Sequence, residues 1–229
     1  MADILPTSIP DMDELRSRWG GFAFTAENDS QAKTIVGRYP PGRQQSAIIP
    51  LLDLAQRQVG AETGTQGWLP IPVIEYVAAY LGMPYMRAYE VATFYTMFNL
   101  RPVGRYHVQV CGTTPCMLRG SDDLFEACKA KGLKTGATSE DGLFTLSEVE
   151  CLGACANAPM VQINDDNYED LTFETMTAIL DALARGETPK PGPRVDRQTS
   201  APEGGPTTLK EMVSENYDYR PRWSREGAA

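Results

Sequence analysis

Four of the five cysteines in this 229-residue sequence stand in two close pairs. Cys111 and Cys116 enclose the stretch CGTTPC, and Cys151 and Cys155 enclose CLGAC, which continues as ANAP. If folding brings the two pairs together, four thiolates line one pocket. The ions that prefer four thiolate ligands are the irons of iron–sulfur clusters and structural zinc. The spacing therefore predicts a metal centre.

Several other kinds of cysteine site are excluded by spacing. A thioredoxin redox centre needs Cys-x-x-Cys, which is absent, and a Rieske centre or a Cys2His2 zinc finger needs more histidines than the single His107. The Cys-x2-Cys-x2-Cys run of bacterial ferredoxins is also absent. The wider spacings favour two irons bridged by sulfide, with one cysteine pair on each iron, and structural zinc stays open. Cys128, outside both pairs, is predicted to be a small core residue.

Composition narrows the range of partners and compartments. The hydrophobic fraction is 42%, enough for a core, and the length predicts one or two domains. A net charge of −9 argues against binding to nucleic acid or anionic membranes. No apolar run reaches the roughly 18–20 residues of a membrane span, and the first residues match neither a secretory nor a mitochondrial signal. We therefore expect a cytosolic protein with reduced thiols.

The chain ahead of the cysteines is predicted to be helical. Residues 1–29 are expected to form a loosely ordered N-terminal arm, and residues 30–100 a helical domain. Within that domain, Ser30 is the expected cap of a short helix, and apolar periodicity predicts a second helix over about 43–59. WLPIPVIEYVAAYLGMP and YMRAYEVATFYTMF predict two more. RPVG, at 101–104, is the expected boundary.

Residues 101–186 change to a mixed pattern that would position the cysteines. RYHVQV predicts a strand that ends at the CGTTPC loop, followed by a helix capped by Ser121. GLFTLSEVE predicts a strand that leads into the CLGACANAP loop, followed by a hairpin and a helix capped by Thr172. This β-α-β-β-α order predicts a thioredoxin-like sandwich with both cysteine loops at one end of the sheet. Residues 187–229 are expected to be a Pro-rich extended tail.

The motifs in their order resemble a known family. CGTTPC and CLGACANAP, preceded by GWL, YLGMP, EVATFYTMF and PVGRYHVQVC, resemble the E subunit of NADH:quinone oxidoreductase, which is the thioredoxin-like [2Fe–2S] subunit of respiratory complex I. The resemblance extends from about residue 40 to residue 186. It implies an α+β protein: an N-terminal α-helical bundle, a thioredoxin-like α/β [2Fe–2S] ferredoxin domain and an extended C-terminal tail. It also implies that Cys111, Cys116, Cys151 and Cys155 bind a [2Fe–2S] cluster and that Cys128 does not.

The resemblance further implies partners and a role. The cluster would lie beside the FMN of a larger flavoprotein subunit that binds FMN and NADH and carries a [4Fe–4S] cluster, off the main electron path. Other peripheral-arm subunits would complete the assembly on the cytoplasmic side of the bacterial inner membrane, without membrane insertion. Because the chain lacks G-x-G-x-x-G, hydride chemistry is expected on another subunit, which makes this one a non-catalytic redox subunit.

Two other functions remain as alternatives. The same motifs would suit a homologous diaphorase subunit of an NAD-linked hydrogenase or formate dehydrogenase. A zinc-stabilised binding module without a redox role is the alternative of a different class.

Two parts of the chain are predicted to contact partner subunits. The helical domain, about residues 30–98, is expected to dock to the flavoprotein subunit as well as to stabilise the fold, because its last helix is rich in aromatic residues from Tyr89 to Phe98. Residues 187–206 are expected to be a linker and residues 207–223 an anchor that begins with a capping box at Thr208. Since no predicted ligand lies beyond Cys155, cluster binding is expected to survive removal of this tail.

Overall fold

A computed structural model describes residues 11–197, 199–202, 204–205 and 207–208. By its internal contacts the chain separates into two compact units. The first comprises the described residues of Met1–Gln109 together with Gly132–Glu148, and the second comprises Val110–Lys131 together with the described residues of Val149–Ala229. In the part of the chain that the structure describes, no helix combines the length and apolar character needed to cross a bilayer.

The first unit is mainly helical. Its helices are α1 (Met12–Trp19), α2 (Ala26–Val36), α3 (Ile48–Thr63), α4 (Ile71–Tyr80) and α5 (Tyr85–Phe94), with a 3-10 turn at Gln44–Ala47. One apolar core joins these helices, and its fully buried members include Leu51, Leu52, Val73, Ile74 and Val77. The helices agree with the helical character predicted for this part of the chain, although the first of them starts earlier than expected.

Helix α1 corrects the expectation of a loosely ordered arm over residues 12–19. Asp11 caps the helix by accepting a hydrogen bond from the Asp13 N–H, and acidic residues occupy the first turn, where the helix dipole favours them. Leu15 and Trp19 are buried in the helical core, with exposed fractions of 4% and 5%. Buried apolar side chains thus hold this helix in place despite the prolines and glycines around it. Residues 1–10 lie outside the described part of the chain.

Other helix boundaries differ by a few residues. Helix α2 is capped by Thr25 rather than Ser30, and the helix predicted at 43–59 is a 3-10 turn followed by α3. Pro50 lies in the first turn of α3, where its missing N–H has no intrahelical partner to lose. The helix predicted to follow the first cysteine loop is preceded by Gly120, with φ +102°, so Ser121 is the first residue of this helix and not its cap.

The strands form one six-stranded sheet. They are β1 (Tyr106–Cys111), β2 (Ala137–Thr138), β3 (Phe144–Val149), β4 (Val161–Ile163), β5 (Asp166–Glu169) and β6 (Gly192–Pro193), in the order β2-β3-β1-β4-β5-β6. β4 and β5 form the predicted antiparallel hairpin, with Val161 opposite Tyr168. The two-residue strands β2 and β6 were not predicted, because two residues carry no alternation signal.

The second unit contains the helices α6 (Thr114–Leu118), α7 (Ser121–Ala130) and α8 (Phe173–Ala184). α7 and α8 pack against each other, and the predicted cap of α8 is confirmed by reciprocal hydrogen bonds between Thr172 and Thr175. α6 replaces the loop expected at CGTTPC. β6, which pairs in parallel with β5, lies inside the segment expected to be a linker. The anchor predicted beyond Thr208 lies outside the described residues, and the four-part division at residues 29, 100 and 186 stays a prediction.

Candidate metal centre

Cys111 and Cys116 lie on regular structure. Cys111 is the last residue of β1, and Cys116 is in the short helix α6, whose first turn contains Pro115. Both cysteines are only 1% exposed and pack with Ala158 and Met160. The Cys111 N–H donates to the Met160 carbonyl at 3.4 Å, which fixes the end of the strand. Core packing therefore positions this pair, called the buried pair below.

Hydrogen bonds to sulfur shift the pKa values of the two thiols of the buried pair in opposite directions. Burial opposes ionisation of Cys111, but hydrogen bonds from the Thr113 side chain and N–H, from Cys116 and from the Leu152 N–H bring its pKa below the ordinary value. Burial and the hydrogen bond to Cys111 raise the pKa of Cys116 to about 11, against an opposing hydrogen bond from the Met160 N–H. The pocket therefore offers backbone N–H donors to both sulfurs.

Cys151 and Cys155 lie in the loop between β3 and β4 and are both exposed. Their Sγ atoms are 3.3 Å apart, and Cys155 begins a 3-10 turn that ends at Asn157. Between them Gly153 adopts φ +85°, a left-handed conformation that glycine tolerates best, and its N–H points at the Cys151 Sγ at 3.4 Å. A tight loop rather than a core therefore forms this pair, called the exposed pair below.

The exposed pair is polarised in the same way as the buried one. The Gly153 N–H and then the Cys155 thiol lower the pKa of Cys151 by hydrogen bonding, and the hydrogen bond to Cys151 raises the pKa of Cys155. Each pair thus contains one thiol whose thiolate is favoured and one whose thiolate is disfavoured.

Thr113 links the two pairs. Its hydroxyl oxygen is 3.3 Å from the Cys111 Sγ and also hydrogen-bonds Cys151. The charge of Cys111 also acts through space on Cys116, Cys151 and Cys155, where it opposes ionisation. The four sequence-predicted cysteines therefore meet in one site.

Within that site the four cysteines are arranged as two separate pairs. Among the described residues, no three His, Cys, Asp or Glu side chains are grouped closely enough to hold a single metal ion. The donors are four soft sulfurs surrounded by N–H groups, which is a suitable environment for a cluster that carries negative charge on sulfur. The N–H donors at Leu152 and Met160 had no sequence signal, because any residue except proline supplies a backbone N–H.

Cys128 stays apart from the centre. It lies in α7, is fully buried, and burial raises its pKa to about 12. A thiol in that environment remains protonated and behaves as a small apolar side chain. The prediction that Cys128 is a core residue is confirmed.

Sequence comparisons place this architecture among known proteins. The profile of the family described as thioredoxin-like [2Fe–2S] ferredoxin matches residues 32–184. The E subunit of NADH-quinone oxidoreductase from Rickettsia bellii is 63% identical over 163 residues, covering 71% of this chain and 94% of the relative. The protein of the same name from Rickettsia conorii gives the same identity and coverage.

Solved structures overlap the chain only partly. An NAD+-reducing [NiFe]-hydrogenase in the air-oxidized state is 18% identical, with a TM-score of 0.48 over 58% of this chain and 23% of the other. A thioredoxin-like [2Fe–2S] ferredoxin from Aquifex aeolicus is 24% identical, with a TM-score of 0.30 over 36% of this chain and 84% of the other.

The family profile and the long, closely similar relatives agree with each other and with the fold. They confirm an α+β protein with a thioredoxin-like domain and a [2Fe–2S] cofactor. The chain belongs to the family of the thioredoxin-like [2Fe–2S] subunits of NADH-quinone oxidoreductase, the E subunits of respiratory complex I.

Proposed function

We propose that Cys111, Cys116, Cys151 and Cys155 are the four cluster ligands, with the buried pair on one iron and the exposed pair on the other. The observation that supports this assignment is the meeting of two thiol pairs at Thr113, with a backbone N–H group directed at each of the four sulfurs. When bound, a [2Fe–2S] cluster accepts and releases single electrons.

The residues around the thiols would adjust that redox chemistry. N–H groups that donate to ligand sulfurs stabilise the more negative, reduced state, and burial has the opposite effect on charge. The N–H groups of Leu152, Gly153 and Met160 are the donors in place here. Low exposure of Cys111 and Cys116 keeps solvent from one side of the site.

In this proposal the chain is a non-catalytic redox subunit. It pairs with the FMN- and NADH-binding flavoprotein subunit and with other peripheral-arm subunits of complex I, on the cytoplasmic side of the inner membrane. Hydride transfer from NADH takes place on the flavoprotein, and this chain exchanges single electrons near the flavin. The support is the family assignment together with a site lined by four thiols.

The end of α5 supplies a candidate contact for that partner. Phe94 is 77% exposed, Tyr95 40% and Met97 51%, whereas Phe98 turns into the helical core at 5%. Phe94 and Tyr95 stack edge to face, with ring centroids 5.0 Å apart. Exposed aromatic and methionine side chains are typical of protein interfaces, so we assign this patch to docking.

Cysteine substitution tests the ligand assignment. The Cys151→Ser and Cys116→Ser proteins, purified anaerobically, should lose the cluster or show a changed EPR spectrum after reduction, because serine is a poor replacement for a thiolate ligand. Cys128→Ser serves as the control and should keep the iron and acid-labile sulfide of the unmodified protein. Loss of the cluster from Cys128→Ser and retention in Cys151→Ser would refute the assignment.

Co-purification tests the partner. The tagged chain expressed in its native host should bring down an FMN-containing subunit, and Phe94→Asp should weaken that interaction without changing the EPR spectrum. Phe173→Asp, which alters an aromatic side chain 38% exposed on another helix, is the matched control. Recovery of hydrogenase or formate dehydrogenase subunits would favour the diaphorase alternative, and zinc without sulfide would favour the binding module.

A further inference from the structure

The described part of the segment 194–201, which is residues 194–197 and 199–201, lies against the loop that contains the exposed cysteine pair. Its central residue is Arg197, whose Nε donates to Asp170 Oδ2 at 2.9 Å and whose Nη2 donates to Asp170 Oδ1. The two side chains are only 10% and 9% exposed. This is a bidentate ion pair shielded from water, and such pairs fix geometry much more strictly than surface pairs.

The same ion pair holds the backbone immediately after Cys155. Arg197 Nη2 also donates to the Ala156 carbonyl at 3.0 Å, and the Asp170 N–H donates to the Asn157 carbonyl at 2.8 Å. Two consecutive carbonyls of the 3-10 turn that begins with Cys155 are therefore bonded, one to the Arg197 side chain and the other to the Asp170 main chain.

Asn157 provides a second link between this turn and the C-terminal segment. Its side chain is fully buried, and its Nδ2 donates to Glu169 Oε2 at 2.6 Å and to the Thr199 carbonyl at 2.9 Å. The turn is thus attached to Glu169 and Asp170 on one side and to Arg197 and Thr199 on the other.

The exposed pair depends on such contacts for its position more than the buried pair does. The buried pair is fixed by a strand, a helix and core packing, but Cys151 and Cys155 are exposed and lie in a loop. Ligands that must hold a metal centre need neighbours that restrict their motion, and outer contacts of this kind typically change metal affinity about 10–100-fold when removed.

We propose that Arg197 is a positioning residue for the cluster and that residues 194–197 and 199–201 form a strap against the 3-10 turn Cys155–Asn157. Arg197, paired with Asp170, fixes the turn at Ala156 and Asn157 and so the direction of the Cys155 thiol. This inference rests on the proposed ligand role of the exposed pair. It predicts, contrary to the expectation from the sequence, that the tail contributes to cluster binding, and Arg197 itself lies beyond the region 32–184 that the family profile covers.

The test uses the full-length protein with Arg197→Met, which removes the guanidinium and keeps the bulk of its stem. The rate at which iron is released to a chelator should rise about 10–100-fold, and the g values of the reduced cluster should shift. Arg197→Lys keeps the charge but not the bidentate geometry, so its rate of iron release should lie between those of the unmodified protein and Arg197→Met. Arg185→Met is the matched control, since Arg185 pairs with Glu187 on the exposed surface.

A double variant separates positioning from a general folding defect. Arg197→Met leaves the Asp170 carboxylate buried without its partner, which by itself destabilises the fold. Arg197→Met with Asp170→Asn removes that unpaired charge, so the thermal transition of the apo-protein should recover while fast iron release persists. Release at the unmodified rate with unmodified g values in both variants would overturn the inference. Two other outcomes would instead refute the proposed function. One is an unmodified protein that contains no iron and sulfide, and the other is a Cys151→Ser variant that keeps its cluster.

Discussion

The buried and exposed cysteine pairs reach the same site by different means. Cys111 and Cys116 are 1% exposed and belong to a strand and a helix that the core holds in place. Cys151 and Cys155 are exposed, and a glycine turn and polar contacts determine their positions. One half of the centre is thus a consequence of the fold, and the other half depends on local hydrogen bonding.

The electrostatics of the pairs are alike in spite of this difference. In each pair one thiol has a lowered pKa and the other a raised pKa. Burial is the leading cause of the raised pKa at Cys116, whereas the hydrogen bond to Cys151 is the leading cause at Cys155. Directed hydrogen bonds can therefore give an exposed loop the same polarisation that burial gives a core site.

The largest effect is expected from damage to the packing of the buried pair. Met160 is 1% exposed and packs against Cys111 and Cys116, so Met160→Ala should lower the free energy of unfolding by about 2–5 kcal/mol. Leu118→Ala, at a side chain 75% exposed in α6, should change it by no more than about 0.5 kcal/mol. Urea denaturation of the apo-proteins measures both. Equal effects would show that the buried pair does not depend on core packing.

A smaller effect should follow from acid. His107 lies in β1, the strand that ends in Cys111, and burial lowers its pKa from 6.5 to about 4. Between these values the unfolded chain binds more protons than the folded one. The contribution of His107 to the free energy of unfolding is therefore fully present above pH 6.5 and is lost as the pH drops toward 4. The loss should total about 3 kcal/mol.

The control for the pH effect is His107→Gln, which keeps a hydrogen-bonding group opposite Ser147, whose Oγ lies 2.9 Å from His107 Nε2. Its unfolding free energy should vary less between pH 7 and pH 4, as measured by urea titration at each pH. An unchanged slope in His107→Gln would assign the acid sensitivity to other groups.

The same contrast explains what the sequence could predict. The pairs, the strand before Cys111 and the cap at Thr172 follow from local spacing and periodicity. Helix α6 was missed because five residues that include a proline give no helical period. The contact between Arg197 and Asp170 joins residues 27 apart, and no local pattern marks it. Local signals thus predicted the strand that positions the buried pair, but not the strap that supports the exposed pair.

Thiol reactivity should distinguish the pairs directly. In the apo-protein, iodoacetamide should label Cys151 and Cys155 first and Cys111, Cys116 and Cys128 later, because buried thiols react only after local opening. An opening that costs about 1.4 kcal/mol slows labelling about tenfold. Mass spectrometry of tryptic peptides over time measures the order. Simultaneous labelling of all five cysteines would mean that the buried pair opens freely in the apo-protein.

The smallest expected effect concerns Thr113, the residue that contacts both pairs. Its hydroxyl lies 3.3 Å from the Cys111 Sγ and hydrogen-bonds Cys151. In the proposed ligand arrangement the thiolates carry no proton, so this hydroxyl is the donor. Thr113→Val removes the donor at nearly constant volume and should lower the reduction potential, since a hydrogen bond to sulfur favours the reduced state. One bond worth about 1 kcal/mol corresponds to roughly 40 mV for a one-electron couple.

Thr113→Ser is the matched control, because it keeps the hydroxyl and removes only a methyl group. EPR-monitored redox titration should therefore give Thr113→Ser a potential near that of the unmodified protein and Thr113→Val a lower one. If the two variants shifted together, the packing of the whole side chain rather than its hydrogen bond would set the potential. A lower reduction potential in Thr113→Val alone would show that the Thr113 hydroxyl adjusts the potential of a site whose two cysteine pairs are otherwise positioned by different contacts.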